Sequence, residues 1–564
     1  MIKQYSCDFE TTTEAFYNKY GYTRVWAACA INIDDTDERA IYSNIGDFIE
    51  AYTKRPTVLY FHNLKFDGEF IVSYLLSNGW TYDDNLSSNK SFKVVISDVG
   101  QWYMIEICRR SYRSKKIKTT IYDSLKKLPF KVSQISKAFN IPESKLIIDY
   151  DKERPEGYIL DEQEKNYIIN DCLIVAKALK IQFDKGMSKM TIGADALGYY
   201  KASMTKKQFE YFFPVLELEV DNYIRKSYKG GWTYCNERYA NTIHTGISFD
   251  VNSLYPSCMY GNNGLLPYGV PKYYKGQYKP NKDYPLYICR ILVDFTLKPR
   301  CFPSIQIKGF SRFIETEYLK ESNGPVELTL TSPDLELLLE NYDIGFIEYI
   351  DGYMFRGSAD LFKNYIDTFM EMKMTTTGAL RQLAKLMLNN LYGKFAKNPK
   401  IAHKTAAMGK DGIIEYTITE AEYKDSVYTA VGAFITSYGR KQTIETATAL
   451  YDRFLYADTD SVHLIGTEIP TNIKVDDRLL GYWKCEGVFD EAKFIRPKTY
   501  IKYKEGHIDV TCAGMPDNVK QQLRDIPKEE AFNLFTAGAV FNGKLTPKRV
   551  KGGVILVDTT YSIK

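Results

Sequence analysis

Two stretches of apolar residues that end in acidic residues give the chain its clearest local pattern. Apolar positions flank Asp458-Thr459-Asp460 on both sides, which predicts two strands with this polar triplet at the hairpin turn between them. Farther upstream, an apolar strand is predicted to end in Asp250 and to lead into a segment of Ser, Tyr and Pro residues. If the two elements are neighbours, Asp250 and Asp460 form an oxygen-only site of the kind that Mg²⁺ uses with substrate phosphates. The alternative is an Asp-rich turn that satisfies only its own backbone.

The N-terminal region repeats the pattern of paired carboxylates. Residues 3–10 read as a strand, and its period of two puts Asp8 and Glu10 on the same face. A second strand, of the buried type, begins at Val58. We predict that it is followed by a loop that carries His62, Asn63, Phe66 and Asp67.

A helix is predicted farther along the N-terminal region. Asp161 is a suitable N-cap, Glu164 is its capping-box partner, and the helix should continue to about residue 179. Tyr167 and Asp171 are four residues apart and therefore share one helix face.

Together these elements supply a second candidate metal site. Four carboxylates from two strands and a helix are predicted to converge on two metal ions about 4 Å apart, the arrangement that activates water for phosphodiester hydrolysis. Tyr167 would orient that water. The four carboxylates are Asp8, Glu10, Asp67 and Asp171. The alternative is a polar strand face and a solvated helix face with no shared role.

The most regular helical period lies between residues 380 and 391. Its apolar positions follow the i, i+3, i+4 spacing of a helix packed on a core: Leu380, Leu383, Ala384, Met387, Leu388 and Leu391. The opposite face carries Arg381, Lys385, Asn389 and Tyr392. Lys385, with Lys373 just before the helix, is a candidate to hold a triphosphate, and Tyr392 is a candidate to stack near a base pair. A solvated basic face is the alternative.

Composition narrows the class of protein. A chain of 564 residues predicts two to four domains, and 45% hydrophobic with 26% charged residues is typical of a globular protein. No apolar run approaches the roughly 20 residues of a membrane span, and no signal peptide is recognised, so we expect a soluble protein without a membrane partner. Ten cysteines without a CxxC pair favour a reducing cytoplasm. The net charge of +4 is only weak support for a polyanionic partner, whereas 46 Tyr and 30 Phe suit stacking on unpaired bases.

Six ordered motifs resemble those of family B DNA polymerases. Asp8-Phe-Glu10, the segment 62–67 and Tyr167-Ile-Ile-Asn-Asp171 resemble the three exonuclease motifs of that family. The segments 250–256, 385–393 and 456–461 resemble its polymerase motifs A, B and C. Their order and spacing are similar to those of the protein-primed branch found in small tailed bacteriophages with linear genomes. The resemblance covers nearly the whole chain.

The resemblance implies an α/β and α+β multidomain fold, with an N-terminal RNase H-like 3′–5′ exonuclease domain followed by a right-hand polymerase of palm, fingers and thumb with two insertions. The implied divisions are the exonuclease domain (1–190), palm with a linker loop (191–260), palm (261–303), a first insertion that contacts the priming protein (304–359), fingers (360–397), a second insertion that displaces a strand (398–426), palm (427–529) and thumb (530–564). The alternative is that both insertions are surface segments with neither of these functions.

The resemblance also assigns roles to individual residues. In the polymerase it makes Asp250, Asp458 and Asp460 catalytic, with the Val251 carbonyl as a further metal ligand, and Tyr255 the residue that collides with a 2′-hydroxyl. Lys145 falls where the branch has an exonuclease lysine. Expected DNA contacts, besides the loop residues His62, Asn63 and Phe66, are Ser124, Leu125, Phe130, Tyr228, Gly230, Gly231, Ser253, Thr436, Arg440, Lys498 and Tyr500. The basic run 109–118 is predicted to be a hairpin that either touches phosphates or is simply solvated.

The expected partners are primer-template DNA, deoxynucleoside triphosphates, a terminal priming protein and a single-stranded DNA-binding protein. The expected cofactor is Mg²⁺, for which Mn²⁺ can substitute. The protein is expected to act as a monomer in the cytoplasm of an infected bacterium. Two alternatives stay open. One is a family B polymerase that uses only nucleic-acid primers; the other is a catalytically inactive DNA-binding relative, which would predict damaged metal clusters.

Overall fold

The structure, a computed structural model, describes residues 2–110, 115–150, 152–306 and 318–564. Its N-terminal region contains the strands β1 Lys3–Thr11, β2 Val25–Asn32, β3 Arg39–Tyr42, β4 Thr57–Phe61, β5 Thr81–Tyr82, β6 Ser91–Ile96, β7 Trp102–Arg110 and β8 Lys116–Asp123. The helices there are α1 Glu14–Tyr20, α2 Ile45–Thr53, α3 Leu64–Ser77, α4 Val132–Phe139 and α5 Glu162–Asp184, with a 3₁₀ turn at Ser124–Lys126. The eight strands form one sheet in the order β3-β2-β1-β4-β8-β7-β6-β5.

The middle of the chain begins with the helices α6 Ile192–Ala202, α7 Lys206–Phe212 and α8 Leu218–Lys226. It continues with β9 Thr233–Cys235, β10 Ile243–Val251, α9 Leu254–Tyr260, β11 Leu266–Lys275, β12 Leu286–Leu297, β13 Ile305–Gln306, β14 Tyr318–Leu319, β15 Val326–Thr331, α10 Ser332–Asn341 and β16 Tyr342–Ser358.

The remaining elements are α11 Lys363–Thr375, α12 Gly378–Asn390, α13 Tyr392–Phe395, β17 Lys400–Ile401, β18 Lys404–Met408, β19 Ile414–Ile418, β20 Glu422–Tyr423, α14 Thr429–Ala449, β21 Phe454–Asp458 and β22 Ser461–Ile465. They are followed by β23 Trp483–Arg496, β24 Thr499–Lys504, β25 His507–Cys512, α15 Asp517–Arg524, α16 Lys528–Leu534, β26 Val540–Val550 and β27 Gly553–Ser562.

The second large sheet has seven strands in the order β25-β24-β23-β10-β22-β21-β9. The predicted hairpin is confirmed, because β21 and β22 pair with Asp458 opposite Ser461. The predicted neighbour relation is also confirmed: β10 pairs antiparallel with β22, and Asp250 lies opposite Ser461. Residues far apart in sequence thus meet at the centre of one sheet.

A third sheet, in the order β11-β16-β12-β15, corrects one predicted domain division. The boundary between 303 and 304 divides this sheet, because β16 pairs with β11 on one side and with β12 on the other. The boundary between 529 and 530 likewise falls inside α16. The boundaries were drawn from sequence motifs, but β16 pairs with β11 and β12, which carry no motif.

Helix predictions held where a local signal existed. The capping box at the start of α5 is present, since the Asp161 side chain accepts a bond from the Glu164 backbone N–H at 2.9 Å and Glu164 accepts one in return at 3.1 Å. The helix extends to Asp184, beyond the predicted end. The predicted helix over 380–391 is wrong at its C-terminal end: α12 ends at Asn390, and Tyr392 belongs to the separate turn α13.

Buried residues form one large core that joins the two halves. It contains side chains of β2 and α5 together with side chains of α9, α12 and α14, so the N-terminal sheet is packed against the seven-stranded sheet's helices through a continuous interior. A second core fills the other side of the eight-stranded sheet, and a third joins β24 and β25 to the C-terminal helices. Among the described residues, no helix is both long and apolar enough to cross a membrane.

Two hairpins are connected through one buried carboxylate. The predicted hairpin around 409–412 is formed by β18 and β19, with Met408 opposite Ile414. Its Tyr416 hydroxyl donates to Glu69 on α3 at 3.0 Å, and Arg549 of the β26–β27 hairpin bonds the same carboxylate at 2.9 Å. The 398–426 segment and the C-terminal hairpin are therefore both tied to the N-terminal region. The predicted basic hairpin 109–118 is formed by β7 and β8, while residues 111–114 lie outside the described residues.

Candidate functional site

The N-terminal carboxylates lie close enough to act on one another's charge, while their predicted convergence on two metal ions stays a prediction. β1 places Asp8 and Glu10 on one face, and α5 packs directly on β1. Asp67 and Phe66 were predicted to lie in a loop, but both lie in the first turn of α3. The helix begins immediately after Asn63. Glu10, Asp67 and Asp171 are buried, and Asp8 is half-buried.

Burial and mutual repulsion dominate the electrostatics of this cluster. Burial, and then the charge of Asp171, raises the pKa of Asp8 to about 7. The pKa values of Glu10 and Asp67 are raised well above their usual range, first by burial and then by the charge of Asp8. The pKa of Asp171 is raised by burial and lowered by Lys145, whose ammonium lies 3.3 Å from its Oδ2. Carboxylates held like this in an apolar interior need a cation to stay ionised.

The donor chemistry fits a divalent cation. The Oδ1 atom of Asp171 is buried and has no hydrogen-bond partner among the described residues, so a ligand position is available next to Asp8 and Glu10. Within the described ranges, however, no three Asp, Glu, His or Cys side chains are grouped closely enough to hold a metal ion as they stand. Binding therefore requires small side-chain movements, with the lysine on Asp171 the first group to yield.

A tyrosine that the sequence analysis missed supports Tyr167. Tyr167 is 2% exposed, and its hydroxyl is hydrogen-bonded to that of Tyr150 at 2.6 Å. Tyr150 is half exposed and lines the same cavity as Asp8, Glu10 and Lys145. It lies in a segment without regular structure, where neither helical nor strand periodicity could single it out.

The second acidic site lies at the centre of the seven-stranded sheet. Asp250, Asp458 and Asp460 line one open groove with Lys498 and Glu486. Burial, and then the charges of Asp460 and Glu486, raises the pKa of Asp250 to about 7. Lys498 bonds both carboxylate oxygens of Asp458, at 2.8 and 2.9 Å.

Backbone bonds fix the hairpin tip in place. Thr459 has a left-handed conformation with φ of 61°, and its N–H donates to the Trp232 carbonyl at 2.7 Å. The Asp460 carbonyl accepts the N–H of Val251 at 2.7 Å, which joins the tip to the end of β10. The Asp458 carboxylate accepts hydrogen bonds from Lys498 and from the Thr233 hydroxyl, the latter at 2.9 Å, and its role as a metal ligand stays a prediction.

Comparison with known proteins decides the family. The profile described as DNA polymerase type B, organellar and viral, matches residues 49–479. The DNA polymerase of Bacillus phage Nf is 45% identical over 584 residues, covering 100% of both chains. That of Streptococcus phage Cp-1 is 33% identical over 597 residues, covering 100% of this chain and 99% of the relative. A solved structure titled phi29 DNA polymerase complexed with primer-template DNA matches with a TM-score of 0.93 and 44% identity, over 100% of each chain.

This chain is a type B DNA polymerase. The predicted family and the predicted multidomain fold class are confirmed, and polymerases of this kind require divalent metal ions.

In the polymerase, several predicted nucleotide contacts lie beside Asp250. The rings of Tyr255 and Tyr392 are 4.4 Å apart between centroids. Lys373, in the last turn of α11, donates to the Ser253 hydroxyl at 2.9 Å, and its pKa is lowered by burial and then by the charge of Lys385. Lys385 and Asn389 are exposed on α12. The two lysines thus form a positive face with no carboxylate bonded to it in the described residues.

The linker loop packs tightly against the hairpin tip. A Cβ on Gly231 would lie 2.6 Å from the Thr459 hydroxyl and 2.9 Å from that of Tyr255, so only glycine fits there. Gly230 is exposed, and a Cβ added to it would meet no other atom within 4 Å; Tyr228 lies two residues before it. The loop therefore packs directly against the turn that carries Asp458 and Asp460.

Two predicted DNA contacts on α14 are buried in this structure. Arg440 is 2% exposed: it pairs with Asp334 at 2.6 Å and donates to the carbonyls of Lys229 and Gly230 at 2.9 and 2.7 Å. Thr436 is 1% exposed, and its hydroxyl bonds the carbonyl of Gly432, within its own helix. Neither side chain is open to a phosphate in this conformation, and their DNA contacts stay predictions. Arg440 instead supports the linker loop, a role that depends on Asp334 and that no local sequence pattern could reveal.

The predicted single-strand contacts near the N-terminal site divide into exposed and supporting residues. Ser124 is buried and corrects the prediction: its hydroxyl bonds the Phe61 carbonyl at 3.1 Å and His62 at 3.0 Å. His62 also bonds the Phe130 carbonyl at 2.7 Å. The residues with exposed or partly exposed surface are His62, Asn63, Phe66, Leu125 and Phe130.

Proposed function

We propose that this polymerase copies a linear viral genome in the cytoplasm of an infected bacterium, extending a 3′ end at the palm groove and removing misincorporated nucleotides at the N-terminal cluster. The observation that carries the proposal is the presence of two separate carboxylate clusters, each with a lysine ammonium bonded to one carboxylate. Lys145 is paired with Asp171 and Lys498 with Asp458. Solved structures of phi29 DNA polymerase, titled as complexes with primer-template DNA and incoming nucleotides, support the first activity.

For extension, Asp250 and Asp460, with Asp458 and the Val251 carbonyl beside them, would hold Mg²⁺, and Mn²⁺ would substitute. When bound, Mg²⁺ lowers the pKa of the primer hydroxyl and offsets charge on the leaving pyrophosphate.

The chain's own residues position the substrates in this proposal. Lys373 and Lys385 bind the triphosphate, because they form the unpaired positive face next to Asp250. Tyr255 lies below the sugar and excludes a 2′-hydroxyl, while Tyr392, packed on its ring, and Asn389 contact the nascent pair. Lys498, Tyr500, Ser253 and the loop of Tyr228, Gly230 and Gly231 hold the primer end.

For degradation, Asp8, Glu10, Asp67 and Asp171 would hold the metal ions, and Tyr167, fixed by Tyr150, orients the attacking water. Lys145 neutralises charge that develops on the phosphate. Asn63, Phe66, Leu125 and Phe130 grip the unpaired end, with His62 and Ser124 as supports.

Initiation on a terminal protein is part of the proposal, with a hydroxyl of that protein in place of the primer hydroxyl and the 304–359 segment as its contact. The β18–β19 hairpin, fixed to α3 and to the C-terminal hairpin through Glu69, would displace the non-template strand. A single-stranded DNA-binding protein would then cover the displaced strand. The alternative, nucleic-acid priming alone, predicts that no labelled nucleotide becomes covalently attached to a terminal protein.

Primer extension and degradation in Mg²⁺ test the proposal on a labelled, mismatched primer. Asp460→Asn should reduce extension by about 10³-fold or more and leave degradation intact, because it removes a metal ligand from one cluster only. Asp8→Asn combined with Glu10→Gln should do the reverse. Each variant is the control for the other. Loss of both reactions in either variant would contradict two independent sites.

A further inference from the structure

The palm groove continues beyond the catalytic aspartates. Strand alternation puts Ser248 on the same face as Asp250, and opposite His463 of β22, two residues farther from the hairpin tip. On β24 the same alternation puts Lys502 on the face of Tyr500. Ser248, His463 and Lys502 all line the groove that contains Asp250 and Asp460. The groove therefore has a second part, about 7 Å along the strands from the metal-binding part.

Lys502 is the distinctive residue of this second part. Its ammonium lies 5.0 Å from the ring centroid of Tyr500 and 6.0 Å from that of Phe489. In the part of the chain that the structure describes, it has neither a hydrogen bond nor an ion pair, although Asp509 faces it across β24 and β25 and acts on it through space. Burial lowers the pKa of Lys502 to about 8, against the opposing effect of Asp509.

The neighbouring lysines are all satisfied. Lys498 is paired with Asp458 at 2.8 Å, Lys484 with Glu486 at 2.6 Å, and Lys504 donates to the Glu486 carbonyl at 2.9 Å. The Lys502 ammonium is thus partly removed from water without gaining a hydrogen bond or an ion pair. This arrangement is unfavourable until an anion binds.

A second unsatisfied group lies next to it. His463 is 4% exposed, and its Nδ1 atom has no hydrogen-bond partner among the described residues. Its pKa is lowered well below the usual range, by burial and then by the charge of Lys502, so the imidazole is neutral and Lys502 alone provides positive charge here. One unpaired cation above an aromatic floor, in a groove that also carries Glu486, suits a single phosphodiester rather than a triphosphate.

We propose that Lys502, above the rings of Tyr500 and Phe489, is a binding site for one backbone phosphate of the primer strand. The proposal rests on the extension site proposed above, because it places the strand whose 3′ end is at Asp250 and Asp460 along this part of the groove. The triphosphate lysines Lys373 and Lys385 approach Asp250 from α11 and α12 instead. The incoming nucleotide is therefore not the ligand of Lys502.

Equilibrium binding of primer-template DNA in EDTA, where neither reaction runs, tests the proposal. Lys502→Met keeps most of the apolar stem and should weaken binding about 5- to 10-fold, with the slope of log K against log salt reduced by about one. Lys502→Arg should restore most of the affinity. Lys504→Met, on the same strand but with its ammonium bonded to a backbone carbonyl, is the matched control and should bind like the wild type.

Primers with one uncharged methylphosphonate, moved through the last five phosphates, identify the ligand. At one particular position the methylphosphonate should weaken binding by the wild type but cause no further loss in Lys502→Met. At the other positions it should affect both proteins equally. A position-independent loss in Lys502→Met, a loss that tracks a template phosphate, or unchanged affinity would overturn the proposal. The same series with Lys502→Arg decides the matter if the Met variant folds poorly. Failure of the extension site itself is recognised separately, because it would show in the Asp460→Asn assay.

Discussion

The two acidic sites differ in how they hold their charge. At the N-terminal site three of the four carboxylates are buried, and burial is the largest cause of every raised pKa there. At the palm site the three aspartates are half-buried on the edge of an open groove. The carboxylates of the N-terminal site repel one another in the protein interior, whereas solvent screens the charges of the palm site.

The difference matches what each site must admit. The pocket that carries Phe66 and Tyr150 is more enclosed than the palm groove, which suits one unpaired strand end, because partial exclusion of water strengthens the charge interactions inside it. An open groove suits a duplex whose end must move after each addition. A lysine is common to both sites, but Lys145 is 42% exposed and Lys498 is 56% exposed. Both ammonium groups can therefore move away when a cation or phosphate arrives.

Among the variants that test this comparison, replacement of each lysine by methionine has the largest expected effect. Lys498→Met should lower extension by about 10²-fold and leave degradation unchanged, and Lys145→Met should do the opposite, because each removes one charge that stabilises phosphoryl transfer at one site. Single-turnover rates on the same primer measure both reactions. If either variant slows both reactions equally, the lysines act on overall stability and the comparison of the two sites fails.

The parts that sequence could predict are those with a local signal. The hairpin at Asp458 and Asp460, the paired carboxylates of β1 and the capped helix α5 each follow from short-range pattern, and each lies where it was expected. Contacts over long distances in sequence could not be predicted. The ion pair of Arg440 with Asp334, which buries a predicted phosphate contact, is one of them.

The same reason explains the residues that were missed. Tyr150 and Lys502 have no periodic signature, because what distinguishes them is a hydroxyl partner on another element and the absence of a counter-ion. The end of α12 was also misplaced, since no glycine or proline follows directly and the apolar period continues to Leu391. Pattern identifies the elements, but only packing shows which polar atoms remain unpaired.

A smaller effect should appear in the dependence of stability on pH without metal. Folding raises the pKa values of the four N-terminal carboxylates and of Asp250 and Asp460, to about 7 for Asp8 and for Asp250. Between about pH 4 and pH 7 the folded chain therefore binds protons that the unfolded chain has released, so the free energy of unfolding falls as pH rises through that window. At pH 8 in EDTA Asp8 and Asp250 are mostly ionised and repel their neighbours, and Mg²⁺ should relieve this repulsion.

Thermal unfolding in EDTA at pH 5.5 and pH 8 makes the comparison of the two sites quantitative. Asp8→Asn should raise the first unfolding midpoint at pH 8 by about 2–5 °C and reduce its change with pH, because it removes charge from the more buried cluster. Asp250→Asn should have a smaller effect, since its cluster is more solvated. A larger gain from Asp250→Asn would reverse the ranking of the two sites.

The smallest expected effect concerns the hydroxyl pair at the N-terminal site. Tyr150→Phe removes one hydrogen bond to Tyr167, worth about 1 kcal/mol, so the rate of degradation should fall roughly fivefold while extension is unchanged. Tyr158→Phe is the matched control. It loses a hydroxyl bond of 2.7 Å to Glu164, on the same helix α5 but away from the carboxylate cluster, and should degrade primers at the wild-type rate. Equal losses in the two variants would show that the pair only stabilises α5, and Tyr167 would then need another group to fix the direction of its hydroxyl.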